Sequence, residues 1–159
     1  MFPISHFNIT RTPFYYYDKT LLSNTLAKLI RLAGERNYHI HYAVKANANP
    51  EILKLIAASG IGADCVSGGE IKAALEAGFP AKKIVFAGVG KADWEIEYAL
   101  EKKIFCFNVE SAEELSVIEE LAKKKENIAS IALRINPNID AHTHEYITTG
   151  LSENKFGIP

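Results

Sequence analysis

The most informative stretch of this chain is YHIHYAVK, from Tyr38 to Lys45. The run from Tyr38 to Val44 is rich in apolar and β-prone residues, which predicts a strand that ends directly before a lysine. A helical pattern begins near Asp18 on one side, and on the other side Pro50 opens a second helix, a position suited to proline. A strand between two helices is the building unit of an α/β protein.

The same alternation continues along the sequence. Further strands are predicted over 61–66, 83–88, 104–109 and 129–136, with helices over 50–60, 68–77, 92–102 and from Ser111. Ser111 and Glu114 form a capping-box pattern at the start of the last helix. The first helix carries an apolar face made by Leu22, Leu26, Leu29 and Ile30. Several strands are near-continuous apolar runs, as expected for a parallel sheet that is covered on both faces.

Serial β/α units form either an open, doubly wound sheet or a closed (β/α)8 barrel. The sequence has no G-x-G-x-x-G motif after its first strand and no P-loop, which favours the barrel. A barrel of this kind takes eight units and about 250 residues. We therefore expect an α/β fold that is an incomplete (β/α)8 TIM-type barrel, made of about the first five β/α units of a longer polypeptide.

Composition argues against several classes of function. Of the 159 residues, 48% are hydrophobic and 23% are charged, and the formal net charge is −1, so no surface for nucleic acid or an anionic membrane is indicated. No stretch approaches the roughly 18 apolar residues of a membrane span, and the N-terminus lacks the pattern of a secretory signal.

Cys65 and Cys106 lack C-x-x-C spacing, which favours reduced thiols and a cytoplasmic protein. His142 and His144 are weak evidence for zinc, and we expect no metal site.

Polar residues follow each predicted strand at its carboxyl end, where parallel α/β folds place their chemistry. In chain order they are Lys45 and Asn47, Asp64 and Ser67, Gly88 and Lys91, Asn108 and Glu110, and Arg134 and Asn136. Their concentration at one end of all the strands predicts a rim that binds a ligand.

Two of these residues have open interpretations. Lys45 is either a desolvated nucleophilic amine suited to Schiff-base chemistry or a side chain that extends to solvent. Arg134 binds either an anionic cofactor or a structural carboxylate partner, for which Asp64 is the candidate. His39 and His41 share the strand parity of Lys45, so their side chains point to the same side of the predicted strand. They are expected to pack in the core or at the bottom of the barrel.

A series of ordered sequence blocks carries a family resemblance. The blocks are YAVKAN at 42–47, GADCVSGGE at 62–70, NVES at 108–111, LRINP at 133–137, and HTHEYITTG at 142–150 followed by KFGI at 155–158. In this order they resemble the fold-type III pyridoxal-phosphate enzymes, the group of alanine racemase and the ornithine, arginine and diaminopimelate decarboxylases. The last block is most similar to the diaminopimelate decarboxylases.

The resemblance implies that the cofactor is pyridoxal 5′-phosphate and that Lys45 is the catalytic lysine that binds it. It places Asp64 near that lysine and Arg134 near the phenolic oxygen of the cofactor, and both are expected to bind the cofactor. Weaker candidates for the rim of the site are Ser67, Asn108 and Lys155.

For the whole protein, the resemblance implies decarboxylation of meso-diaminopimelate, an amino-acid substrate, to L-lysine by a homodimer with a shared active site. The alternatives left open are decarboxylation of ornithine, arginine or carboxynorspermidine, and a non-catalytic barrel that binds pyridoxal phosphate. Residues 1–18 are expected to form a strand segment that pairs with a C-terminal β-domain, and residues 19–159 the first part of the cofactor-binding barrel. Because later strands complete the site in this family, the present segment is expected to be inactive alone.

Overall fold

The computed structural model of the chain describes residues 4–137 and 156–159. Its helices are α1 (Ile4–Phe7), α2 (Lys19–Gly34), α3 (Pro50–Ala58), α4 (Gly68–Ala77), α5 (Asp93–Lys102) and α6 (Ala112–Lys124). Its strands are β1 (His41–Ala43), β2 (Gly62–Cys65), β3 (Ile84–Phe86), β4 (Cys106–Val109) and β5 (Ile131–Leu133). Short 3-10 helices cover Val44–Ala46 and Ala81–Lys83.

The strands form one parallel sheet in the order β1-β2-β3-β4-β5, so each strand pairs with the next strand along the chain. The register places Ala43 beside Asp64, Asp64 beside Val85, and Val85 beside Cys106. A doubly wound sheet reverses its strand order at a switch point, and no reversal occurs among these strands. The observed order is that of the first units of a (β/α)8 barrel, which confirms the predicted fold class.

The helix boundaries follow from local capping chemistry. Each of α2, α3, α4 and α6 begins with a side chain that accepts a hydrogen bond from a main-chain N–H of the first turn, and these caps are Asp18, Asn49, Ser67 and Ser111. Helix α4 ends at Gly78, whose φ of 99° is left-handed and favours glycine. The bounds predicted for this helix from sequence, 68–77, are the bounds observed.

The two faces of the sheet have different surroundings. Helices α4 and α6 contact β2, β3 and β4, and the strand side chains on that face are buried, namely Ala63, Cys65, Ile84, Phe86, Phe107 and Val109. The alternate positions point to the opposite face, where Ala43, Asp64, Cys106 and Asn108 are only partly buried. We call this second surface, defined by these four residues, the open face.

The strands are shorter than the sequence pattern predicts. β1 spans His41–Ala43 rather than 38–44, because its ladder with β2 begins only where His41 meets Gly62. The apolar face of α2 is not uniformly buried. Leu26 is buried at 7% exposure, whereas Leu29 is 45% exposed, so this face is only partly covered by the described residues.

The N-terminal strand predicted within residues 1–18 is not formed in this structure. Ile4–Phe7 is a helix, and 12–17 contain no strand. The Phe7 ring instead contacts the rings of Phe14 and Tyr16, with centroids 5.4 and 5.1 Å apart. A strand needs a neighbouring strand for its hydrogen-bond ladder, and the described residues place none beside this segment. Its pairing with a β-domain, and the domain boundary after residue 18, remain predictions.

Candidate active site

Lys45 lies at the carboxyl edge of the sheet, in the 3-10 helix Val44–Ala46 that follows β1. Its side chain is exposed in the described part of the chain, and the role of its amine in Schiff-base chemistry stays a prediction. The backbone around it is held in place, because the Tyr42 hydroxyl donates to the Asn47 carbonyl and the Asn47 N–H donates to the Val44 carbonyl, both at 3.1 Å. The turn therefore presents the Lys45 amine from a fixed backbone.

Asp64 is the β2 residue on the open face with an unsatisfied polar atom. Its Oδ1 is buried and has no hydrogen-bond partner within the described part of the chain. Partial burial raises the pKa of the Asp64 carboxyl above its ordinary value, and the positive charges of Lys45, His41 and Arg134 oppose that rise. A buried oxygen without a donor costs free energy, so the position suits a ligand that brings a donor or a positive charge.

Arg134 follows β5, and its carboxylate partner is Glu110 rather than Asp64. Arg134 Nη1 donates to Glu110 Oε2 at 2.8 Å. The Glu110 side chain is 2% exposed and the Arg134 side chain 42%. The guanidinium thus rests on a buried carboxylate, stays open to solvent, and acts electrostatically on Asp64. The alternative that Asp64 is the structural ion partner of Arg134 is wrong, because Glu110 occupies that role.

A second buried ion pair lies next to the first. The Lys91 side chain is 1% exposed, and its ammonium donates to Gly88 O at 2.6 Å, to Asn108 O at 2.9 Å and to Glu114 Oε1 at 2.5 Å. The other Glu114 oxygen, Oε2, accepts the main-chain N–H of Glu110 at 2.8 Å. Lys91 and Glu114 therefore join the ends of β3 and β4 to the start of α6.

The sequence pattern places Lys91 and Glu110 at strand ends but assigns them no partner. The signal that could have found them is the charge itself, because a glutamate directly after a strand whose Phe107 and Val109 are buried needs a donor. Which donor it takes depends on the distance between neighbouring loops, and spacing along one chain does not give that distance.

Ser67 and Asn108 lie at the same edge of the sheet, and the described hydrogen bonds of their side chains are local. Ser67 Oγ accepts the Glu70 N–H at 3.2 Å as the cap of α4. Asn108 Oδ1 accepts a weak bond from the Cys106 thiol at 3.8 Å. Neither bond reaches Lys45, so the cofactor-binding roles of Ser67 and Asn108 remain predictions. The rim candidate Lys155 lies outside the described residues, together with His142 and His144.

His39 and His41 lie at the amino ends of the strands, opposite to Lys45, which agrees with the expectation for the bottom of a barrel. The His41 ring stacks on Phe105 with centroids 6.2 Å apart, and partial burial lowers its pKa. His39 is exposed. Both line a cavity of about 360 Å³ at this end of the sheet.

Residues 4–137 and 156–159 contain neither a metal-binding cluster nor a helix that could span a membrane. No group of three or more histidine, cysteine, aspartate or glutamate side chains is arranged to hold a metal ion. No helix in the same residues has the length and apolar character needed to cross a membrane.

Comparisons with known proteins agree with this arrangement. Residues 23–159 match the family model for the pyridoxal-binding domain of pyridoxal-dependent decarboxylases. The diaminopimelate decarboxylase of Bacteroides thetaiotaomicron is 63% identical over 99% of this chain and 41% of its own length. The chain thus spans about two fifths of that relative.

Solved structures give the same result. Diaminopimelate decarboxylase from Helicobacter pylori, complexed with L-lysine, matches 98% of this chain and 39% of its own, with a TM-score of 0.83 and 48% identity. The enzyme from M. jannaschii, in co-complex with L-lysine, matches 97% of this chain and 37% of its own, with a TM-score of 0.84 and 41% identity. The chain therefore belongs to the pyridoxal-dependent decarboxylases, and residues 23–159 belong to their pyridoxal-binding domain.

Proposed function

We propose that this chain is the cofactor-binding segment of an enzyme that decarboxylates meso-diaminopimelate to L-lysine with pyridoxal 5′-phosphate. The observation that carries the proposal is the grouping of Lys45, Asp64 and Arg134 at one edge of the sheet, where the charges of Lys45 and Arg134 both act on Asp64. The choice of substrate is supported by 63% identity to a diaminopimelate decarboxylase.

The residues present fit pyridoxal phosphate chemically. The cofactor is an anionic aldehyde that binds a lysine amine covalently, and Lys45 offers an exposed primary amine. Arg134 carries a planar guanidinium that uses only Nη1 in its described hydrogen bonds, which leaves N–H groups for an anionic oxygen. Asp64 has an acceptor atom without a donor.

When bound, pyridoxal phosphate supplies an electron sink for the electron pair that stays on the α-carbon as carbon dioxide leaves. Lys45 would hold the cofactor covalently through its side-chain amine. Asp64 places a carboxylate close to positive charge at Lys45 and stabilises it there. Arg134 supplies a permanent positive charge for an anionic group of the bound cofactor.

The proposal extends to the whole protein. Ile131 and Leu133 on β5 are 40% and 49% exposed, which supports a further element of the barrel packing over them. We also propose that the full-length protein is a homodimer with a shared active site. In that protein, residues 1–18 pair with a C-terminal β-domain. Cys65 and Cys106 are free thiols, which supports a reducing, cytoplasmic location.

The proposal is tested on the full-length protein loaded with pyridoxal phosphate. We expect a visible absorbance band from the bound cofactor. Reduction with borohydride should fix the cofactor permanently on the peptide that contains Lys45. The protein should also release L-lysine and carbon dioxide from meso-diaminopimelate. Lys45→Ala removes the band and the label. The matched control is Lys72→Ala, because Lys72 is an exposed lysine on α4, and it keeps both.

Each alternative has its own outcome in the same experiment. A band with turnover of ornithine, arginine or carboxynorspermidine, but not of meso-diaminopimelate, contradicts the assigned substrate. A labelled Lys45 without turnover of any of these amino acids points to a non-catalytic cofactor-binding barrel. An unlabelled Lys45 in the loaded protein overturns the cofactor assignment.

A further inference from the structure

Glu110 is the most buried carboxylate among the described ion pairs, and it lies directly behind a proposed site residue. Its side chain is 2% exposed. Oε1 accepts the Gly88 N–H at 3.0 Å, and Oε2 accepts Arg134 Nη1 at 2.8 Å. The carboxylate thus bridges the loop after β3 and the residue that follows β5, on either side of its own strand.

The backbone of Glu110 is also held in place. Glu114 Oε2 accepts its main-chain N–H at 2.8 Å, and Glu114 Oε1 binds the buried ammonium of Lys91. Lys91 in turn binds the carbonyls of Gly88 and Asn108. The Glu110 carboxylate, which binds Arg134, therefore has little freedom to move. The main chain of Glu110 and one of its carboxylate oxygens are each held by a separate contact.

We infer that Glu110 is a positioning residue, which orients the Arg134 guanidinium toward the open face so that Arg134 can bind an anionic group of the cofactor. This inference rests on the proposed function, because it takes Arg134 as part of the cofactor site. Glu110 itself acts only through Arg134 and contacts neither substrate nor cofactor.

The geometry favours positioning over a purely structural ion pair. A buried ion pair is weak evidence for stability, because the cost of desolvating both charges offsets their attraction. Here the pair is asymmetric, with a buried carboxylate and a guanidinium that stays 42% exposed. A flexible arginine loses much rotamer freedom when it binds a ligand, and a fixed partner reduces that loss. The exposed part of Arg134 also acts on Asp64, the other charged residue beside Lys45.

The test uses the full-length holoenzyme and pyridoxal phosphate itself as the probe. Glu110→Gln keeps the shape of the side chain, and its amide oxygen can still accept the Gly88 N–H. The negative charge that holds Arg134 is lost. We expect the dissociation constant for pyridoxal phosphate to rise about tenfold and the pH midpoint of the visible band to shift, with Lys45 still labelled by borohydride. Glu110→Asp keeps the charge and is expected to recover part of the affinity.

A double-mutant cycle separates positioning from stability. Because Glu110 acts through Arg134, Glu110→Gln should add no further loss of cofactor affinity in an Arg134→Met background. The matched control is Glu95→Gln, since Glu95 is also buried and its oxygens accept the main-chain N–H groups of Gly68 and Ala92. It is expected to lower the melting temperature comparably and to leave the pH midpoint of the band unchanged.

The outcomes distinguish this inference from the proposed function. If wild-type Lys45 is unlabelled, both fail. If wild type is labelled and Glu110→Gln binds cofactor with unchanged affinity and pH midpoint, only the inference fails. Additive losses in the cycle, or an equal loss of affinity in Glu95→Gln, also overturn it. Should Glu110→Gln not fold, the same comparison is made with Glu110→Asp, for which wild-type affinity is the contrary result.

Discussion

Replacing Lys91 with methionine removes one ammonium group from inside the protein while keeping a side chain of similar length. The ammonium lies in a closed environment, since the Lys91 side chain is 1% exposed and donates to two carbonyls and to Glu114. It also lies 5.3 Å from the centre of the Phe86 ring, so a methionine sulfur has an aromatic contact available. The substitution therefore removes charge and hydrogen bonds more than it removes packing.

The expected loss follows from the state of the remaining partner. Removing one member of a buried ion pair costs about 3–5 kcal/mol of unfolding free energy, because the other charge stays buried without compensation. The Glu114 side chain is still 13% exposed, so water relieves part of that cost. We expect Lys91→Met to lose about 3 kcal/mol, a large share of the roughly 5–15 kcal/mol of a typical domain.

The assay is equilibrium urea unfolding of the full-length protein without cofactor, followed by circular dichroism. Lys124→Met is the control, because Lys124 is an exposed lysine whose ion pair with Glu120 lies on the surface, and it should leave the unfolding midpoint unchanged. Adding Glu114→Gln to Lys91→Met removes the uncompensated charge and should restore part of the stability. A Lys91→Met protein within about 1 kcal/mol of wild type, or a double variant less stable than the single one, would show that the buried ion pair does not work as described.

Two further substitutions, both in strand β2, test other parts of the structure. Gly62→Ala places a Cβ against the His41 ring and a main-chain carbonyl, and since the carbonyl cannot easily move, we expect a loss of about 1–3 kcal/mol by urea unfolding, with wild-type stability as the contrary result. Asp64 has a raised pKa in the folded chain, so its contribution to stability is present below its unfolded pKa and is lost as pH rises through the folded value. Asp64→Asn should therefore be more stable than wild type near pH 7 in the absence of cofactor, and the difference should shrink as pH falls toward the ordinary pKa of aspartate, near 4. Parallel stability curves for the two proteins would contradict this.

The sequence predicts the helices better than the strands, for a physical reason. Helix ends depend on capping residues close in the chain, so Ser67 and Gly78 suffice to define α4. Strand ends depend on the neighbouring strand, and β1 extends only as far as its ladder with β2. The N-terminal segment shows the same dependence, because its β-prone residues form no strand without a partner.

The candidate site follows the same rule. Lys45, Asp64 and Arg134 are identifiable because parallel strands bring their carboxyl ends together. The contacts that these residues make are harder to predict from the sequence. Arg134 binds Glu110 instead of Asp64, and Glu114 binds the N–H of Glu110 where the capping-box pattern predicts that of Ser111. The competing partners are adjacent in sequence or lie at the same edge of the sheet, so only the three-dimensional path of each loop selects one of them.

Three glutamates hold the loops at the carboxyl edge of the sheet in fixed positions. Glu70, Glu95 and Glu114 each occupy the first turn of a helix, and each accepts a main-chain N–H from the loop that precedes that helix. Glu95 also binds the N–H of Gly68 in the unit before it, and Glu114 binds Lys91 in the same way. Each of the three loops is therefore tied to its own helix, and the loops before α5 and α6 are also tied to the preceding β/α unit. Pre-organised groups bind a ligand with less loss of freedom than mobile ones. The loops at this edge of the sheet are thus held in place by contacts made within the described segment itself.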